Sequence, residues 1–166
     1  MTNSVTIRAA EARDADVFLC LIDALADYEE LPRPAEDARD RLVRDGFGDK
    51  PKFRAYLSEL DGAPVGYAIT FHTYSSFLAL PTLYLEDLFV IPDARRHGVG
   101  KAFFRFLAEQ ALREGCGRME WAVLDWNQLA IGFYERMGGR RLTEWQTYRL
   151  LAVDLERIVS APEHSL

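Results

Sequence analysis

The sequence reads as a single domain in the α/β to α+β range, a mixed sheet flanked by helices. Three observations lead there. The chain has 166 residues, 49% hydrophobic and 28% charged, the size and balance of one compact domain over residues 1–166. Its apolar residues switch between the two-residue period of strands and the 3.6-residue period of helices, in the order β-α-α-β-β-β-α-β-α-β. No repeat, low-complexity tract or linker interrupts that order.

Val5 to Arg8 opens with a short strand. Arg13 to Glu30 follows as a helix, because Val17, Leu21, Leu25 and Tyr28 recur at helical spacing. Pro32 and Pro34 stop it, and Ala35 to Asp45 makes a second helix with Ala38, Leu42 and Val43 inward, closed by Gly46. Phe53 to Leu60, the turn Asp61-Gly62 and Val65 to Phe71 form a hairpin. Tyr74 to Pro81 reads as a loop or frayed strand end, and Thr82 to Ile91 as a strand ended by Pro92-Asp93. From Gly98 to Glu114, the residues Val99, Phe103, Phe106, Leu107 and Ala111 mark a long helix that Gly115 ends. Met119 to Leu124 is a strand. Gln128 to Met137 is a helix with Leu129, Phe133 and Met137 on one stripe, stopped by Gly138-Gly139, and Leu142 to Val153 supplies the last strands.

Composition narrows the function. Twenty basic against 26 acidic residues leave a formal charge of −6, which disfavours nucleic acid or an anionic membrane and mildly favours cationic partners. Cys20 and Cys116 match no ligand or redox spacing, and the apolar context of Cys20 suggests buried thiols, so no metal or disulfide framework is expected. The first residues lack a basic region followed by an apolar core, and no apolar run approaches the ~18 residues of a membrane span, which makes the cytoplasm the expected location.

Three segments carry candidate chemistry. Arg95-Arg-His-Gly-Val-Gly-Lys101 joins a strand to a long helix. Gly98 and Gly100 permit backbone angles that turn several N–H groups toward one oxyanion, and the helix dipole adds to them. A nucleotide P-loop fails at two positions, Arg95 for its first glycine and Ala102 for its Ser/Thr; an ordinary glycine turn is the other reading. In the strand Leu83 to Val90, alternation puts Glu86 on one face with Tyr84 and Leu88 and Asp87 on the other. A carboxylate in so apolar a strand is a site candidate: Glu86 as a base or ammonium anchor, with Asp87 expected to pair with a Lys or Arg across the sheet. Finally, Asn127 suits a helix N-cap. Tyr134 lies nearly two turns on, roughly 10 Å along the same face and off the apolar stripe, where it is able to donate a proton; a packed ring with its hydroxyl in water is the other reading.

Together these residues resemble the GNAT family of N-acetyltransferases and its diamine branch, the spermidine/spermine and thialysine enzymes. The resemblance spans roughly Val5 to Leu150. It is carried by Leu25-Ala-Asp-Tyr-Glu29, Asp45-Gly-Phe-Gly-Asp49, Tyr84-Leu-Glu-Asp87, Arg95-Arg-His-Gly-Val-Gly100, Ala122-Val-Leu-Asp-Trp-Asn-Gln128 and Phe133-Tyr134. It implies a mostly antiparallel central sheet and acetyl-CoA as co-substrate. Leu88, Phe89 and Val90 would hold the acetyl-pantetheine arm by backbone bonds, and Arg95, Arg96, His97, Gly98, Val99, Gly100 and Lys101 would cradle the pyrophosphate. Asn127 and Tyr134 would lie against the coenzyme, with Tyr134 as general acid to its sulfur. Tyr28, Glu29, Glu86, Glu120 and Trp121 would line the pocket of a small cationic amine, Glu86 being the base candidate. A homodimer is also implied.

This chain departs from the family pattern at four places. Arg96 replaces the first glycine of the pyrophosphate loop, and Met137 replaces a basic residue that helps hold CoA. Gln146 stands where the diamine enzymes carry an acid, and Phe77 stands near a family tryptophan. Fewer acids favour a lysine analogue or short diamine at least as much as a long polyamine. The alternatives are another amine, such as a peptide N-terminus or an aminoglycoside, and an acyl-CoA sensor without turnover.

Overall fold

The computed structural model describes residues 4–161, which fall into two compact units divided between Trp126 and Asn127. The first unit holds β1 (Val5–Ala9), α1 (Ala15–Tyr28), α2 (Glu36–Phe47), β2 (Arg54–Leu60), β3 (Ala63–Ser75), β4 (Leu80–Val90), α3 (Val99–Arg113) and β5 (Arg118–Trp121). The second holds α4 (Gln128–Arg136) and α5 (Ala152–Ser160). The sheet order is β1-β2-β3-β4-β5, antiparallel throughout except for the parallel β4–β5 pair that the α3 crossover creates. Among the described residues no helix is long and apolar enough to cross a membrane.

Local chemistry explains the joints. Asp61 (φ 51°) and Gly62 (φ 82°) both take left-handed backbone, the two-residue turn whose twist matches a β2–β3 hairpin. At Gly66 the neighbouring strand comes so close that a Cβ would meet the Phe89 carbonyl oxygen at 2.4 Å, so only glycine lets β4 lie there. Arg8 of β1 clamps the start of α1 through Asp14 (2.7 and 2.9 Å) and reaches β2 through Glu59 (2.9 Å). Both faces of the sheet are then covered. Phe18, Leu21 and Ile22 of α1 pack on Ala55, Leu57, Tyr67, Ile69 and Phe89. On the other face, the Phe106 ring of α3 meets Tyr56 at 5.1 Å and Phe104 meets Trp121 at 5.2 Å. Truncating a fully buried ring such as Phe18 costs about 3–5 kcal/mol.

The structure corrects three expectations. Tyr74 to Pro81 is half strand and half turn, since β3 and β4 continue pairing as far as Ser75 and Leu80 around the four-residue turn 76–79. Cys20 is exposed: Phe18, Leu19, Leu21 and Ile22 take the buried arc of α1, and position 20 falls outside it. Leu142 to Val153 forms no strand. Leu142, Trp145, Tyr148 and Leu151 recur every third residue rather than every second and remain exposed. From Leu151 a helix takes over, because the Asp154 carboxylate accepts the Leu151 N–H at 3.1 Å and the Arg157 guanidinium at 3.0 Å.

Candidate active site

The site begins with an irregularity in β4. β3 and β4 pair as Tyr67 with Phe89 and Ile69 with Asp87, then as Thr70 with Leu85 and Phe71 with Tyr84. One step on β3 answers two steps on β4, so Glu86 is the extra residue of a β-bulge. Paired residues share a face. Tyr84, Asp87 and Phe89 therefore join Tyr67, Ile69 and Phe71 on the α1 side, while Leu83, Leu85 and Leu88 go to the α3 side. Strict alternation had grouped Glu86 with Tyr84 and Leu88 and set Asp87 apart from Tyr84; the bulge breaks that grouping.

Asp87 also has a different partner from the cross-strand cation expected of it. Its Oδ2 accepts the Tyr67 hydroxyl at 3.1 Å. Burial pushes its carboxyl up to about 6, with the charges of Glu86 and Glu29 adding to the rise and the Tyr67 hydrogen bond opposing it. The Tyr67 phenol is in turn held far above its ordinary value by its own burial and by Asp87. Burial raises Glu29 as well, at the C-terminal end of α1. Glu29 and Glu86 thus both lie close enough to Asp87 for their charges to act on it.

Aromatic rings border this patch. The Tyr28 ring lies 6.3 Å from Phe89 and 6.2 Å from Trp126. The Arg95 guanidinium sits 4.6 Å from the centre of the Tyr28 ring and 5.9 Å from that of Phe89, while its Nε donates to the Val90 carbonyl at 2.9 Å. Arg95 is therefore turned back onto the strand end. The rest of the turn keeps the geometry of an anion cradle. Arg96 (φ 69°) and Gly98 (φ 83°) are left-handed, and Gly98 caps α3, so the first-turn amides of Val99, Gly100 and Lys101 have no acceptor within their own helix. His97 stays exposed, its Nδ1 3.0 Å from the Arg95 carbonyl oxygen.

β5 pairs with β4 only from Thr82 to Leu85. Among the described residues the stretch from Glu86 through Leu88, Phe89 and Val90 thus has β3 on one edge and no strand on the other. An unpaired strand edge leading to a cradle of helix amides fits an extended amide-bearing arm that ends in a pyrophosphate, as acetyl-CoA has.

The remaining candidates divide. Glu120 pairs with Tyr84 and shares its face, but its carboxylate is engaged by Arg118 at 2.9 Å. Trp121 pairs with Leu85 and turns its ring edge-on to Phe104, so it lies on the α3 side, apart from Tyr28, Glu29 and Asp87. In the second unit Asn127 caps α4, its Oδ1 accepting the Ala130 N–H at 3.2 Å, and Tyr134 lies beside Phe133, ring centres 5.4 Å apart. The structure brings together Tyr28, Glu29 and Glu86 and adds Tyr67, Asp87 and Trp126. The only sequence signal for Asp87 was an acid inside an apolar strand, read with the wrong partner.

Comparison with known proteins identifies the family. Residues 20–139 match the acetyltransferase (GNAT) family. The thialysine N-epsilon-acetyltransferase of Sus scrofa is 37% identical over 157 residues, covering 88% of this chain and 92% of its own. The L-ornithine N5-acetyltransferase of Arabidopsis thaliana is 43% identical over 98 residues, 59% of this chain and 43% of its own. Among solved structures, an integron cassette protein of V. cholerae superposes with a TM-score of 0.80 at 21% identity, covering 97% of this chain and 99% of that one, a likeness of fold. With a family match over most of its length and a near full-length relative above one third identical, the chain belongs to the acetyltransferase (GNAT) family and is an N-acetyltransferase.

Proposed function

We propose that the protein transfers the acetyl group of acetyl-CoA to the terminal primary amine of a small cationic acceptor, a lysine analogue or short diamine, by direct attack in a ternary complex. The observation that carries this reading is the cluster of Glu29, Glu86 and Asp87 ringed by Tyr28, Tyr67, Phe89 and Trp126. Carboxylates supply charge for an ammonium group, and aromatic faces bind its alkyl stem and cationic end. The relatives named for thialysine and L-ornithine support an acceptor of the same kind. As the resemblance implies, the enzyme works as a homodimer; the cytoplasm is its expected location.

An amine with an ordinary pKa of about 10 must lose a proton before it attacks a thioester. Glu86 takes that proton, directly or through water. Asp87, poised at about 6, lies next to it and is mostly ionised at neutral pH. The amine nitrogen bonds to the acetyl carbon, the carbon–sulfur bond breaks, and Tyr134 gives its proton to the departing thiolate. The β4 edge at Leu88 to Val90 orients the thioester, and the amides of Gly98 to Lys101 hold the pyrophosphate. Placing both reactants together supplies most of the acceleration.

CoA release with thialysine, lysine, ornithine, putrescine, spermidine and amino-sugar acceptors tests the proposal. Turnover of the amino-acid or diamine acceptors is expected; turnover of amino sugars alone reassigns the acceptor, and binding of acetyl-CoA without turnover of any amine makes the protein a sensor. Tyr134→Phe is expected to lower kcat about 10²-fold or more with little change in acetyl-CoA affinity; an unchanged kcat removes Tyr134 from the chemistry.

A further inference from the structure

On the α3 side of the sheet, the face away from the acid cluster, three side chains from separate elements converge. We propose that His72, Glu114 and Cys116 form a binding site for a thiophilic divalent cation of the zinc class, independent of the acetyl-transfer reading. His72 stands on β3, where its pairing with Leu83 puts it on the α3 side; Glu114 is the C-cap of α3, and Cys116 follows in the connection to β5. One ligand atom from each, an imidazole nitrogen, a carboxylate oxygen and a sulfur, all lie within 4.8 Å of one another.

The details favour a cation over a plain ion pair. His72 Nε2 is 2.8 Å from Glu114 Oε2, yet that buried oxygen receives no hydrogen bond, so no N–H lines up on the carboxylate lone pair. A shared cation would satisfy both atoms. The other oxygen, Oε1, is held by the Arg54 guanidinium, which fixes the carboxylate so that a single donor atom faces inward. Backbone bonds from Cys116 N–H to Ala111 and from Gly117 N–H to Pro81, each 2.9 Å, anchor the connection carrying the thiol.

Imidazole, thiolate and a single carboxylate oxygen form a zinc-type donor set and a poor one for magnesium or calcium, which take oxygen ligands. Tetrahedral zinc holds its ligands roughly 3.3–3.7 Å apart. The wider separations therefore have to close by at most roughly 1–1.5 Å, and the 2.8 Å between His72 Nε2 and Glu114 Oε2 has to open by roughly 0.5–0.9 Å, both within reach of side-chain rotation. Binding releases the thiol proton to solvent and leaves a fourth position for water. An occupied site would tie β3, the end of α3 and the entry to β5 together.

Titration of the metal-free full-length protein with CoCl2 tests this. Expected are a thiolate-to-cobalt charge-transfer band that saturates at one equivalent, its loss on adding ZnCl2 and its persistence with MgCl2. Cys116→Ser should abolish the band, His72→Ala should weaken cobalt binding about tenfold or more, and Cys20→Ser should leave both unchanged. Circular dichroism and acetyl transfer in metal-free buffer verify that the variants fold. ZnCl2 should raise the Tm of the parent and leave that of His72→Ala and Cys116→Ala unmoved. No band in the parent, a band that survives Cys116→Ser or disappears with Cys20→Ser, or cobalt affinity unaltered by His72→Ala would overturn the site.

Discussion

Asp14 and Asp87 are two withdrawn aspartates in one unit, and their surroundings drive them in opposite directions. Asp14 accepts two hydrogen bonds from the Arg8 guanidinium and one from the Glu11 N–H, which holds its carboxyl down at about 2. Asp87 has a neutral hydroxyl for a partner and two carboxylates for neighbours, and burial lifts it to about 6. A charge satisfied by a cation is a structural clamp, here joining β1, α1 and β2. A carboxylate with no cation of its own can attract one, as a site for ammonium groups requires.

Substitutions can break that contrast. Asp87→Asn keeps the shape and the acceptor for Tyr67, so it should leave folding intact while lowering kcat/KM about 10²-fold; an unchanged rate, measured by CoA release, would make Asp87 merely structural. Asp14→Asn should do the reverse, costing about 2–3 kcal/mol in urea unfolding with kcat/KM unaltered.

The pH dependence of stability sharpens the same contrast. The folded Asp14 carboxyl is ionised where the unfolded one near 3.8 is already protonated, so its stabilisation is complete above about pH 4 and is lost as pH falls toward 2. Asp87 has the opposite sign. Folded protein retains its proton up to about 6 where unfolded chain has lost it, so its contribution is present below about pH 4 and is lost as pH rises through 6. Unfolding followed across pH 4–6 should show a falling component in the parent that is absent in Asp87→Asn and still present in Asp14→Asn.

Two smaller effects follow. Tyr67→Phe removes the hydroxyl that partly opposes the rise of Asp87, so the acid limb of the kcat/KM profile should move to higher pH. Arg96→Gly relieves a left-handed backbone at φ 69° and should stabilise the protein by at most about 1 kcal/mol, a small shift in Tm.

What the sequence alone determined was whatever depends on neighbours along the chain. Apolar residues at helical spacing mark α1 and α3, Asp61-Gly62 marks a hairpin turn, Asn127 a cap, and Gly98 the turn before α3. The same local stretches carry the family resemblance, because turns, caps and short motifs are encoded by adjacent residues. Tertiary structure decided whatever depends on pairing. The bulge at Glu86 exists only in the register of β3 on β4, and it sets which side chains share a face with Asp87. Strand pairing and ring packing put Trp121 against Phe104, on the face opposite Asp87. Cys116 found its neighbours far away in the sequence, at His72 and Glu114. An ionisation constant or a ligand set is a property of what surrounds a side chain, and for these residues the surroundings come from distant segments that only folding brings together.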